Sequence, residues 1–96
     1  MKKTFRIEDS HIKADRQIDS FRHQIKKYFA RERRKKIPED FDCWSFDCRF
    51  GYAEESAQPL KEAEIKDKIT EFRLSGKDSF YLEILARADN KKKERA

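Results

Sequence analysis

The stretch from Ala14 to Lys36 constrains this chain more than any other. Its apolar residues Ile18, Phe21, Ile25, Tyr28 and Phe29 recur at steps of three and four, the spacing that sets side chains on one face of an α-helix. On a helical wheel they take about a third of the circumference. Most of the remainder is basic: Arg16, His23, Lys27 and Arg34 fall opposite the stripe, while Arg22, Lys26 and Arg33 flank it. The run closes with Arg31-Glu32-Arg33-Arg34-Lys35-Lys36. One helix must therefore present a stripe to a core and a cationic surface to solvent. Asp15 and Asp19 in its early turns and the basic cluster at its end also suit the helix macrodipole. That dipole does not explain Arg16, Arg22, Lys26 and Lys27, which lie well before the last turn. Pro38 ends the helix.

Something must cover the stripe, and the rest of the chain supplies strands. Lys2 to Ile7 alternates, with Lys3, Phe5 and Ile7 on one face, which predicts a short half-buried strand. In Asp42 to Tyr52 the residues Trp44, Phe46, Cys48 and Phe50 share a face, and this face is expected to meet the helical stripe at the middle of the core. Ser79 to Arg87 alternates in the same way, with Phe80, Leu82, Ile84 and Ala86 on one side. Ile65, Ile69 and Phe72 predict a second helix from Ile65 to Leu74, closed by Gly76 as a C-cap. Leu60 to Glu64 fits a short strand hairpin-paired with the second one, with Pro59 at its first residue. Its other reading is an early start to the second helix.

The order is then β-α-β-β-α-β, which predicts an α+β, ferredoxin-like arrangement with two helices on one face of a four-stranded antiparallel sheet. The alternative is β-α-β-α-β on a three-stranded sheet, if Leu60 to Glu64 is helical. Residues 1–88 form a single domain in this reading, and residues 89–96 a disordered basic tail with nothing to bury. Charged residues make up 45% of the 96 and hydrophobic ones 36%, close to where chains stay disordered. Eight Phe, three Tyr and one Trp decide against disorder, because large aromatics at periodic positions bury enough area to offset chain entropy.

No apolar run approaches the roughly 20 residues of a membrane span, and no signal peptide opens the chain. The expectation is a cytoplasmic protein with Cys43 and Cys48 reduced. The net charge of +5 is unevenly spread. Residues 1–12, 13–36, 37–90 and 91–96 carry +1, +7, −6 and +3 respectively. Such a chain has a positive side and a negative side, which favours anionic partners or head-to-tail association.

Several chemistries are argued against. Cys43 and Cys48 are an odd number of residues apart on one strand, so they point to opposite faces and lie about 16 Å apart along it. That excludes a disulfide, which needs Cα atoms within about 7 Å, and a shared metal site. Asp9-Ser10-His11 are sequence neighbours and cannot converge as a triad. His23 sits on the solvent apex of the basic helix. The two glycines stand alone, so no phosphate loop exists. The acidic pairs Glu8-Asp9, Glu39-Asp40 and Glu54-Glu55 fall in connections and read as solvated charges. Neither a cofactor nor a metal is expected, and nothing in the pattern asks for an enzyme. The sheet face away from the helices offers Arg6, Arg49, Tyr81 and Arg87 to a nucleotide. Asp47 and Glu83 among them suit cross-strand ion pairs, so a solvated or homodimer face is the better reading.

The opening KKTFRI, the RERRKK run, the FDCWSFDC segment and the ending SFYLEILA together resemble a family of short uncharacterised bacterial proteins. The resemblance spans nearly the whole chain and implies a bacterial cytoplasmic origin. It carries over no activity, ligand or catalytic residue. The functional expectation therefore rests on charge. It is a small binding module for an anionic partner, RNA or the ribosome, engaged through Arg16, Arg22, Lys26, Lys27, Arg31, Arg33, Arg34, Lys35 and Lys36, with the Lys91–Arg95 segment assisting. The competing expectation is a protein-interaction or self-associating module whose basic helix meets an acidic surface.

Overall fold

The computed structural model describes residues 1–8 and 12–90. Along the chain run β1 (Lys2–Arg6), α1 (Ala14–Arg33), β2 (Cys43–Gly51), β3 (Gln58–Leu60), α2 (Ile65–Ser75) and β4 (Ser79–Asp89). Short 3-10 turns occupy Glu54–Ser56 and Glu62–Glu64. The fold is α+β, with four strands in one sheet and every neighbouring pair antiparallel. Both helices contribute to the same core, so they lie on one face.

The strand order is β1-β4-β2-β3. This departs from the ferredoxin-like order, in which the first and third strands are central. The reason lies in which strands can stand having a neighbour on both sides. β4 and β2 are the longest, at 11 and 9 residues, and the most apolar. β4 is buried on both faces from Phe80 to Ile84, as only an interior strand can be. β3 is three residues long and holds Pro59, which lacks a ladder donor and suits an edge. β1 carries Lys2, Lys3 and Arg6, charges that blunt the other edge.

β3 also differs from its expected span. It pairs Leu60 with Cys48, Pro59 with Arg49 and Gln58 with Phe50, and the chain turns helical at Glu62. There the Glu64 carboxylate accepts the Lys61 N–H at 2.7 Å, satisfying a donor that a strand would have spent on its neighbour. Helix α2 begins at Ile65, as its apolar period requires, and Gly76 caps it at φ +78°, a left-handed conformation that glycine adopts without a steric penalty. Helix α1 stops at Arg33 rather than Lys36. The Lys35 carbonyl beyond it accepts the Trp44 indole N–H at 3.1 Å. β4 runs on to Asp89, two residues past its expected end. Of the tail expected over residues 89–96, Asp89 belongs to β4, and residues 91–96 lie outside the described residues, as does the Asp9-Ser10-His11 triplet.

The core is centred on Phe80. Its ring stacks on Phe5 and Phe50, with centroids 5.1 and 5.2 Å away, and meets Phe72 and Phe21 edge-on at 4.7 and 6.1 Å. The rings therefore come from β1, α1, β2 and α2 and converge on β4. This corrects the expectation that the face of β2 forms the middle of the core. Only its second half does. Cys48 and Phe50 are buried, while Trp44 and Phe46 are half-buried. Phe46 packs at the periphery, edge-on to Phe29 at 4.8 Å. The anticipated packing of Trp44 and Phe46 on Phe21 is replaced by Phe5, Phe50, Phe72 and Phe80.

The opposite sheet face is closed at one end by the turn after β2. Gly51 points to that face, and a Cβ there would stand 2.7 Å from the Ala57 Cα. The missing side chain lets the turn lie back on the sheet over Tyr81, which is 5% exposed. The Arg49 guanidinium fastens this turn by donating to the Ala57 carbonyl at 2.9 Å.

Phe80→Ala is expected to cost about 3–5 kcal/mol, a large part of the stability of a small domain. Phe46→Ala should cost clearly less, because its site is half-open. Urea titrations of both variants check the order, and an equal loss would contradict the assigned centre of the core.

Candidate functional site

The basic helix carries the nine residues that the sequence put forward as an anion-binding site. Its N-terminal entry is held by Gln17. The Gln17 amide accepts the Glu8 N–H at 2.7 Å and donates to the Glu8 and Ile12 carbonyls at 3.0 and 2.9 Å. Asp15 in the first turn takes Arg73 of α2 at 2.6 Å. Ile18, Phe21, Ile25 and Phe29 then bury the stripe, so the orientation of every cation on the helix is set by the core beneath.

The nine predicted residues divide into two groups. Arg22 leans over α2 and donates to the Lys66 carbonyl at 3.3 Å and the Thr70 hydroxyl at 2.9 Å. Arg33 pairs with Glu62, and its guanidinium carbon lies 5.5 and 5.0 Å from the Phe29 and Phe46 ring centroids. Lys35 binds the Glu32 carboxylate at 2.9 Å. These three hold the fold together. Glu32 itself is buried at the end of the stripe, 8% exposed, inside a run that sequence treats as a basic block. Nothing in its period except its place one turn beyond Phe29 would have revealed that.

The second group faces solvent. Arg16, Lys26, Lys27, Arg34 and Lys36 are exposed, and among the described residues no carboxylate lies within ion-pair distance of any of them. Arg31 belongs with them. Its one acidic contact is Glu32 at 4.0 Å, its side chain is 72% exposed, and its guanidinium lies over the Tyr28 ring. Arg16, Lys27 and Arg34 form a ridge on the back of α1, about 27 Å from first to last at 1.5 Å per residue. Lys36 continues it beyond the helix end, and Lys26 borders the apolar seam with α2. Burial raises the Tyr28 phenol above its ordinary pKa, with the Glu32 charge adding to it. It remains a neutral ring beside the cations.

The open face of the sheet is chemically spent. Asp47 takes Arg87 through two nitrogens at 3.0 and 3.3 Å, and Asp89 takes a third at 3.0 Å. These hydrogen bonds to Asp47 and Asp89 hold the Arg87 guanidinium above even its usual range. Tyr81 donates to Glu83 at 2.9 Å, Arg49 is committed to Ala57, and Arg6 faces Asp78 at 3.6 Å. The four groups that sequence offered to a nucleotide are thus engaged within the chain, in line with the cross-strand pairing expected of Asp47. Cys43 is half-buried and Cys48 buried, and they lie on opposite faces of β2. Among the described residues no group of three His, Cys, Asp or Glu side chains is placed to hold a metal ion, and no helix is long and apolar enough to cross a membrane.

A family of unknown function, DUF6172, matches residues 1–95. The chain belongs to that family. No curated protein and no solved structure matches it.

Two expectations concern the buried acids of this framework. Cys43 should react with a thiol reagent well before Cys48, whose burial pushes its thiol up to about 11 and so withholds the reactive thiolate. Equal labelling rates would contradict the register of β2. Burial, aided by the Glu83 hydrogen bond, likewise pushes the Tyr81 phenol up to about 12. Unfolded, both groups ionise near their ordinary values of 9.0 and 10.0. Between those values and the raised ones the unfolded chain has released protons that the folded chain keeps. Stability should be unaffected by this below pH 9 and fall as pH rises through that window. A urea midpoint equal at neutral pH and about pH 10 would be the contrary result.

Proposed function

We propose that this protein is a small binding module for an anionic partner, RNA or the ribosome, which it meets with the outward face of α1. The observation that carries the reading is the set of unspent cations. Arg16, Lys26, Lys27, Arg34 and Lys36 stand exposed and make no ion pair among the described residues, while Arg22, Arg33 and Lys35 are used internally. Five unneutralised charges on one surface repel one another, and a polyanion relieves that repulsion while its condensed counterions enter solution. The partner's phosphates are contacted along the ridge, which gives affinity and orientation but no sequence choice. The sheet takes no part in binding, in contrast to the RNA-binding sheets of ferredoxin-like proteins, because its arginines and Tyr81 are already engaged. In this reading the module works in the bacterial cytoplasm, with both thiols reduced.

Titration of a single-stranded oligoribonucleotide against salt tests the proposal. With about five phosphates neutralised, the logarithm of the affinity should fall against log salt with a slope of about −3 to −4. The triple substitution Arg16→Glu, Lys27→Glu and Arg34→Glu should abolish binding and leave the melting temperature nearly unchanged, since all three side chains are exposed. Arg33→Glu should instead lower stability by breaking the Glu62 and ring contacts. If the triple variant binds RNA as well as the parent, the ridge is only a solvated face. If the parent is not retained on RNA at about 0.15 M salt and the triple variant loses a protein complex or self-association instead, the module serves an acidic protein surface.

A further inference from the structure

The flank of α1 that looks toward β1 differs from the rest of the basic surface. Gln24, Lys27, Tyr28, Arg31 and Arg34 follow one another at helical steps and, with Met1 and Ala30, line an open groove of about 490 Å³. That size lies within the range of clefts that accept small ligands. At its middle the Arg31 guanidinium carbon stands 5.7 Å from the centroid of the Tyr28 ring. Tyr28 is itself held edge-on to Phe29 at 6.4 Å. Arg31 is therefore a planar cation placed over an aromatic ring, with its side chain 72% exposed.

Its charge is available as well. Glu32, its one ion-pair partner among the described residues, is 4.0 Å away and already holds Lys35 at 2.9 Å. Lys27 and Arg34 lie one turn to either side of Arg31, about 10 Å apart along the axis, and neither has an acidic partner among the described residues. A plane between two point charges matches the layout of a nucleotide, whose base stacks and whose flanking phosphates bear the charge.

We propose that this groove binds single-stranded RNA, with one unstacked base on the exposed Arg31 guanidinium and the phosphates on either side of it at Lys27 and Arg34. The inference rests on the anion-binding reading above and adds a base-dependent contact to it. Arginine planes and aromatic rings stack bases that a single strand leaves free. A duplex keeps its base faces covered and offers the groove only phosphates.

The test uses three ligands and two variants of the full chain at one salt concentration. The ligands are a short oligouridylate, a blunt RNA duplex of equal length, and a heparin oligosaccharide, which has charge but no base. The parent should bind the oligouridylate more tightly than the duplex. Arg31→Lys keeps the charge and removes the plane. It should weaken the oligouridylate about tenfold and leave heparin unchanged. The pair Lys27→Ala and Arg34→Ala should weaken both. If Arg31→Lys binds the oligouridylate as the parent does, or loses heparin equally, the groove recognises charge alone; the stacking inference then fails while the anion reading stands. If the parent binds none of the three ligands, the anion reading fails too.

Discussion

The contacts of the Phe80 ring are the constraint on which the rest of the structure depends. Phe5, Phe21, Phe50 and Phe72 reach it from four different elements, so removing it would loosen both helices and both strands at once. A chain with 36% hydrophobic residues has little apolar area to distribute. Concentrating large rings at one point gives the buried area and close packing that offset chain entropy in a domain of this size. The cost is a thin periphery: Trp44 and Phe46 remain half-buried, and Leu74 and Phe41 are exposed.

That centre also fixes which cations the molecule keeps for itself. Once Phe21, Ile25 and Phe29 face the sheet, the flank carrying Arg22 and Arg33 must lie against α2. There Arg22 finds a carbonyl and a hydroxyl, and Arg33 finds Glu62 and two rings. On the back of the helix, Arg16, Lys27 and Arg34 make no ion pair among the described residues, and Arg31 on the flank toward β1 reaches only Glu32 at 4.0 Å. The same rotation of one helix thus separates cations that join elements from cations that face solvent. Glu32 fits this division. It lies on the buried side, and Lys35 closes over it, so the negative charge inside the RERRKK run is withdrawn from the outer surface.

The sheet's far face shows the opposite economy. Asp47 and Asp89 are matched to Arg87, Ser45 closes the network by donating to Asp89 at 2.8 Å, and Glu83 accepts from Tyr81 beside the turn through Ala57. This arrangement resembles a finished surface rather than a binding one. The binding function proposed above therefore falls to the helix layer, where charge is in excess.

Much was legible from the residues alone. Periods of three and four against a period of two identified both helices and the strands β1, β2 and β4, because side-chain burial follows backbone geometry directly. Gly76 marked its C-cap, and the odd spacing of Cys43 and Cys48 placed them on opposite faces. The basic character of α1 was also plain, as charge is a property of composition. Strand order was not, since the sequence β-α-β-β-α-β is compatible with either pair of strands at the centre. Only the competition for neighbours among an 11-residue apolar strand, a lysine-bearing one and one with Pro59 decided it. The end of β3, the burial of Glu32 and the division of nine cations into spent and unspent were likewise decided by tertiary structure. Each depends on which group from a distant part of the chain comes within about 3 Å, and local periodicity carries no record of that distance.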